Sequence, residues 1–229
     1  MGVRRSRIVL VAALSAALCS AGLGGSLAGA AGPSGGACQL QGVANISPPL
    51  TNTAGSFAYS FTGDLGSCQS NVAGAPTTGT VSAGTQLPET VPLTSTTGTT
   101  TTGTVLYQEP IPQGSGSCGS STTAGEALAT WGDGKHTVVS YTTTGAATAV
   151  NLQGTIVASM TLTLVASSVP AGYTAPSTYT IGTDEPTFAV GEQSVGVLTF
   201  SPTTPDQNCV TVGVGSANID GVIGIGSAS

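Results

Sequence analysis

One histidine, ten carboxylates, five cysteines and a thin scatter of aromatic rings hold nearly all the reactive chemistry this 229-residue chain offers. His136 has Asp133 nearby in sequence and Ser140 further along the same run. A Ser–His–Asp site needs its nucleophile in hydrogen-bond contact with the ring and an oxyanion hole beside it. Four residues of extended chain place Ser140 roughly 13 Å from His136, which excludes that serine. His136 is therefore read as an ordinary residue next to a turn. The carboxylates Asp133, Glu185, Asp206 and Asp220 sit beside Gly or Pro and read as solvated loop charge. A glycosidase would need two acids facing each other across a cleft. Calcium held by Asp184, Glu185 or Asp206 would want a loop of regularly spaced Asp and Asn, and no such loop occurs. Phosphate loop, dinucleotide fingerprint and CxxC pair are all absent from the sequence. No catalytic residue, metal ligand or cofactor site is assigned.

The cysteines speak more clearly. Cys19 belongs to the N-terminal segment, leaving Cys38, Cys68, Cys118 and Cys209. An even number in an exported chain reads as two disulfides, with three pairings open. Cys38 opens one strand and Cys68 follows the next, at the same end of an antiparallel pair, which favours Cys38–Cys68 with Cys118–Cys209. Zinc would need closely spaced cysteine pairs.

Sugar recognition by an all-β domain uses exposed rings with amides beside them. Trp131, Tyr141, Tyr173 and Tyr179, with Tyr107, are the candidate stacking residues, and Asn151 and Gln153 the candidate polar partners. Trp131 lies beside a turn, where a ring serves either as a lid on the core or as a platform; the lid is the preferred reading. Phe57, Tyr59 and Phe61 recur at period two and read as core.

Something must position these groups, and the composition says what. Arg4, Arg5 and Arg7 precede an apolar run that ends in Ala28-Gly29-Ala30. That is the form of a cleaved secretory signal peptide over residues 1–30. Lys135 is then the one remaining cation against ten carboxylates, a formal charge of 1 − 10 = −9. So acidic a surface excludes nucleic acid as a partner, and no second apolar run offers a membrane span. Residues 31–229 suffice for a single all-β domain. Few charged residues and abundant Thr, Ser and Gly argue against long helices.

Alternation predicts strands from Cys38 to Ile46, Ser56 to Leu65, Ala147 to Ile156, Ser159 to Ala166, Gln193 to Ser201, Cys209 to Gly215 and Ala217 to Ile225. A Thr/Gly/Pro-rich region near 76–116 is expected to be mostly mobile loop, with short strands near Thr78–Ser82 and Gly103–Glu109. Pro170 to Pro186 is expected to be loop. Between Gly125 and Thr142 the dipeptide Asp133-Gly134 predicts a two-residue type I′ hairpin turn. That turn sets Trp131 opposite His136, Ala129 opposite Val138, Leu128 opposite Val139 and Glu126 opposite Tyr141. Trp131, Ala129 and Val138 then share one face; Leu128, Val139 and Tyr141 share the other. The matching segments Cys38-Gln-Leu-Gln-Gly and Val150-Asn-Leu-Gln-Gly suggest two related strands in one sheet system.

Taken in order, Cys38-x-Leu40-x-Gly42, Phe61-x-Gly63, Gly116-Ser-Cys118, Trp131-Gly-Asp133-Gly134, and Cys209 with Gly213 make a pattern that covers most of the chain. It resembles a group of secreted actinobacterial proteins of unestablished function. The resemblance implies a four-cysteine all-β fold and carries no activity across. The fold expected is an antiparallel β-sandwich or barrel with two disulfides. The function expected is a secreted, non-enzymatic structural or binding module. An extracellular glycan or cell-wall polymer is the alternative partner, and a carboxylate-based glycoside hydrolase the second alternative.

Overall fold

Strands that alternate apolar and polar residues share an oily face that must be covered. Curling the sheet onto itself covers that face without a second layer. The computed structural model describes residues 35–226 and takes this solution. The expected leader at 1–30 lies outside the described residues.

The strands run β1 (Gly35–Leu50), β2 (Gly55–Ser70), β3 (Gly79–Ala83), β4 (Gln86–Ser95), β5 (Thr100–Gln108), β6 (Gln113–Gly116) and β7 (Ser120–Trp131). After these come β8 (His136–Ala146), β9 (Ala149–Val157), β10 (Ser159–Leu164), β11 (Tyr173–Thr174), β12 (Thr178–Gly182), β13 (Gln193–Pro202) and β14 (Val214–Gly226). Eight positions close into an antiparallel barrel in the order β1-β14-β13-β9-β8-β7-β3-β2, with β2 pairing back onto β1. Of the sandwich and the barrel, the molecule is the barrel. One position is composite. β3 pairs β2 over Phe61–Leu65 and β6 pairs it over Gly55–Ala58, and both also pair β7.

Leu40, Ala44, Ile46, Phe57, Phe61 and Leu65 point inward, while Gln39, Gln41, Thr62, Asp64, Asn151 and Gln153 alternate with inward positions and are exposed. An apolar inside and a polar outside is the reverse of a barrel that faces lipid. The Leu-Gln-Gly echo has a packing basis. Leu40 and Leu152 are inward bulk, and the glycine two residues on is inward vacancy. A Cβ on Gly42 would stand 2.5 Å from the Phe61 ring, and one on Gly154 would stand 3.2 Å from Tyr141 Cβ.

Between β3 and β6 the chain leaves the barrel. β4 and β5 join β10, β11 and β12 in a second sheet ordered β11-β4-β5-β10-β12. Its Tyr107, Met160 and Leu162 cover Leu128 and Val138 on the outer face of β7 and β8. The short strands expected near Thr78–Ser82 and Gly103–Glu109 are β3 and β5, and the mobile loop expected between them is mostly β4. Thr, β-branched, suits exposed positions on a pleated sheet, and Val91, Leu93 and Val105 supply the buried face. Pro88 and Pro92 sit on β4, which is an outer strand for most of its length because β11 contributes only two residues; an edge tolerates proline. Two other expectations change. Tyr173–Thr174 and Thr178–Gly182 are strands within the expected 170–186 loop, and Cys209 to Val212 is turn rather than strand.

The β7–β8 hairpin closes through three residues, not two. Trp131 N–H donates to the Lys135 carbonyl, and Gly134 N–H donates to the Trp131 carbonyl. Only Gly134 takes a left-handed φ, 85°, whereas a type I′ turn needs one at Asp133 as well. Asp133 Oδ1 instead accepts the Lys135 N–H at 3.2 Å. The pairing therefore slips by one residue, to Ala129 with Thr137, Leu128 with Val138 and Glu126 with Ser140. A one-residue slip exchanges the partner faces. Trp131 and Ala129 join Val139 and Tyr141 inside the barrel, while Leu128 and Val138 face the second sheet.

The neck between barrel and second sheet is held by Glu109, a buried carboxylate. Its Oε1 accepts from Ser82 Oγ at 2.6 Å, and its Oε2 from the Thr85 N–H and Oγ1 at 2.8 and 2.9 Å. Gln108 Nε2 donates to the Gly84 and Thr85 carbonyls from the same side. Glu109→Ala strands three donors and is expected to cost about 3 kcal/mol in urea unfolding, with Glu109→Gln costing less because it keeps one acceptor. The disulfides join Cys38 to Cys68 and Cys118 to Cys209, with sequence separations of 30 and 91. Loop entropy predicts that a Cys118→Ser/Cys209→Ser pair lowers the unfolding free energy by about 4–5 kcal/mol, and Cys38→Ser/Cys68→Ser by about 3–4, as upper values. Equal losses would show that chain entropy does not set the difference.

Candidate functional site

A closed eight-stranded barrel has an interior wide enough for side chains to fill or for one small ligand. Here two clusters fill it from the ends. At one end Leu40, Leu65, Ile225 and the Cys38–Cys68 bridge pack with Trp131 and Phe188, whose ring centroids are 5.2 Å apart. Phe188 comes from the loop between β12 and β13 and stops that end. At the other end Leu50, Phe57, Val214 and Ala217 pack beside Cys118 and Cys209.

Between the clusters lies an apolar cavity of ≈ 160 Å³. Its asymmetry comes from the sequence of one wall. β1, β2 and β14 send in mostly Leu, Ile and Phe, whereas β7 and β8 send in Ser121, Thr123, Ala127, Ala129 and Thr143 beside Val139 and Tyr141. Small residues at inward positions leave the space unfilled. Ser121, Thr123, Ala127 and Thr143 stay partly exposed although they face the interior. No charged residue is among those lining the cavity.

The same wall carries a run of hydroxyls. Thr123 and Thr143 are cross-strand partners whose Oγ1 atoms lie 2.8 Å apart. Tyr59 reaches across from β2, 3.2 Å from Thr123 Oγ1 and 2.6 Å from the Tyr141 hydroxyl. Burial pushes both phenols above their ordinary range; for Tyr141 the neighbouring Tyr59 adds to the effect. They stay protonated, and act as neutral donors and acceptors at any physiological pH.

The residues singled out from sequence fall in three places. Trp131 and Tyr141 are buried, 2% and 7% exposed. Trp131 Nε1–H donates to Thr137 Oγ1 at 2.8 Å, satisfying the indole inside the core. Tyr179 packs on Tyr107 in the second sheet, ring centroids 5.5 Å apart. Tyr173, 38% exposed, stands on the short β11. The four rings do not gather on one surface; Tyr141 alone lines the cavity. Asn151 and Gln153 lie on the outer face of β9, exposed and paired opposite the exposed Val197 and Val195. His136 Nδ1 sits 3.8 Å from Asp184 Oδ1, and that carboxylate accepts the His136 N–H at 2.6 Å. Glu185 differs from the solvated charge expected of it. It is buried, accepts from the Thr187 N–H and Oγ1 at 3.0 and 2.6 Å, and directs Oε2 at Lys135 Nζ, 3.5 Å away. Lys135 also meets Asp133 at 2.8 Å, so these two carboxylates share one ammonium rather than flank a cleft. Among the described residues there is no group of three or more His, Cys, Asp or Glu placed to hold a metal ion.

Comparison of the chain with protein-family descriptions, curated proteins and solved structures finds no match in any of the three. The barrel interior therefore has to be interpreted from its own chemistry. Period two places Tyr59 among the core rings without marking its hydroxyl, and Thr123 and Thr143 have no signal of their own. Thr runs are polar on both faces, so alternation cannot say which threonine points inward.

Phenols whose pKa is raised by folding stabilise the native state fully below the unfolded value of about 10. That contribution drains away as pH climbs through the folded pKa. The urea midpoint is expected to fall above pH 10, and Tyr59→Phe/Tyr141→Phe to flatten the fall. Tyrosinate absorbance in the native protein should show both phenols silent until the chain unfolds.

Proposed function

We propose that this chain is an exported, non-enzymatic binding module that holds a small apolar ligand inside its barrel. The observation that carries the reading is the ≈ 160 Å³ left open inside a closed β-barrel. Protein interiors pack to crystal-like density with few voids larger than water. An empty cavity of this size costs about 4 kcal/mol at about 24 cal/mol per Å³. An occupant offsets that cost. An engineered cavity of about 150 Å³ with a similar aliphatic and aromatic lining binds benzene.

Export is supported by the Arg-rich start and the apolar run behind it. Two disulfides, one toward each end of the barrel, persist in an oxidising compartment. Among the described residues, no helix is long and apolar enough to cross a membrane. Binding of a glycan or wall polymer by surface stacking has weaker support. Only Tyr173 of the four stacking candidates is more than a third exposed. A glycosidase has weaker support still, since Asp133 and Glu185 are tied together through Lys135.

A ligand that binds only the native state raises its melting temperature by mass action. Thermal unfolding with increasing benzene or ethylbenzene should shift upward and saturate. Ala127→Phe, which fills the cavity from its small-residue wall, should abolish that shift while melting no lower than the parent without ligand. No shift with either hydrocarbon would refute an apolar ligand site.

A further inference from the structure

The hydroxyl wall says more about the ligand than the oily lining does. Tyr141, Tyr59, Thr123 and Thr143 form a linear chain of three hydrogen bonds. Each hydroxyl carries one proton and accepts through two lone pairs. Three bonds use three protons, so the four hydroxyls hold one proton that the chain itself does not use. Whichever way the chain is polarised, that proton ends on a hydroxyl lining the cavity, since all four residues do. Ser121, two residues before Thr123 and on the same face of β7, adds a further hydroxyl to this wall. Apart from Ser194 on β13, the remaining lining is apolar, and none of it carries a charge. An ionised ligand would lose its hydration without a counter-charge, a penalty that excludes it. A pure hydrocarbon would fill the space but leave a desolvated donor unpaired.

We propose that the barrel selects a small neutral molecule with an apolar body and one hydrogen-bond acceptor oxygen, a carbonyl, ether or alcohol, seated on the wall formed by Tyr59, Tyr141, Thr123, Thr143 and Ser121. This rests on the apolar-ligand reading above and narrows it to a chemical class. The body lies against the Leu, Ile and Phe side of the cavity, and the oxygen takes the spare proton.

The test uses two shape-matched probes, anisole with an ether oxygen and ethylbenzene with a methylene in its place. Calorimetric titration of the folded, oxidised protein should show anisole binding about fivefold tighter, the worth of one net neutral hydrogen bond. A second protein makes the wall apolar at nearly constant shape: Ser121→Ala, Thr123→Val, Thr143→Val, Tyr59→Phe and Tyr141→Phe. Replacing both partners of a hydrogen bond by apolar groups of like shape is close to neutral for folding, and a urea transition verifies it. This variant should keep its affinity for ethylbenzene and lose the preference for anisole. Equal affinities in the parent protein overturn the proposal and leave the apolar site standing, as does a preference that survives in the variant. Failure of both probes to bind the parent removes the apolar-ligand reading itself. The parent ratio decides the matter even where the variant does not fold.

Discussion

Closure of the barrel is the constraint from which the other features follow. β1 pairs β14 on one side and β2 on the other, so the ring of backbone hydrogen bonds has no open edge. A ring of eight strands fixes the interior volume independently of the side chains that enter it. The chain must fill that volume, tolerate a void, or admit a guest. Its inward positions on β1, β2 and β14 are mostly bulky, whereas Ser121, Thr123, Ala127 and Ala129 on β7 and Thr143 on β8 are small. The mismatch creates the cavity.

Closure also explains the disulfides and the buried aromatic lid. A barrel is held along its staves by hydrogen bonds but is weakest at its rims, where strands splay into loops. Cys38–Cys68 ties β1 to β2 at one rim, beside Trp131 and Phe188. Cys118–Cys209 ties the entry to β7 to the turn before β14 at the other. Backbone bonds from Cys118 to Thr51 and from Asn52 to Cys209 draw the loops of that rim together. The rigid rims keep the hydroxyl wall in register, because Thr123 and Thr143 meet only while β7 and β8 hold their alignment.

The second sheet answers a different problem. Leu128 and Val138 alternate with inward residues and would otherwise be apolar groups on the barrel exterior. The second sheet supplies their cover, β4 and β5 from the excursion between β3 and β6 and β10 and β12 from later in the chain. Glu109 clamps the point of departure to the point of return. A buried carboxylate with three donors is costly to desolvate and specific in geometry. It fixes where the composite stave is broken, which is also where Tyr59 enters the cavity, its N–H bonded to the Pro112 carbonyl.

Much of this was legible in residue order. Period-two alternation marked β1, β2, β9, β10 and β13, and strand position indicated Cys38–Cys68, leaving Cys118 to pair with Cys209, because these signals are local or depend on strand ends alone. The Thr-rich β4 was missed, although β5 was legible near Gly103–Glu109: polar residues along β4 mask the buried Val91 and Leu93. The β7–β8 register was missed because Asp133-Gly134 suits two turns of different length, and the choice fell to Trp131, whose indole finds Thr137 only in the longer one. Tyr59, Thr123 and Thr143 lie on three strands, up to 84 residues apart, and met only when the ring closed. Sequence by itself determined which residues alternate, and hence that an all-β shell with an oily inside would form. Tertiary structure alone decided that the shell is a barrel, that one wall is too small to fill it, and that hydroxyls from distant strands share that wall. Side-chain period is a property of neighbours, whereas enclosed volume is a property of closure.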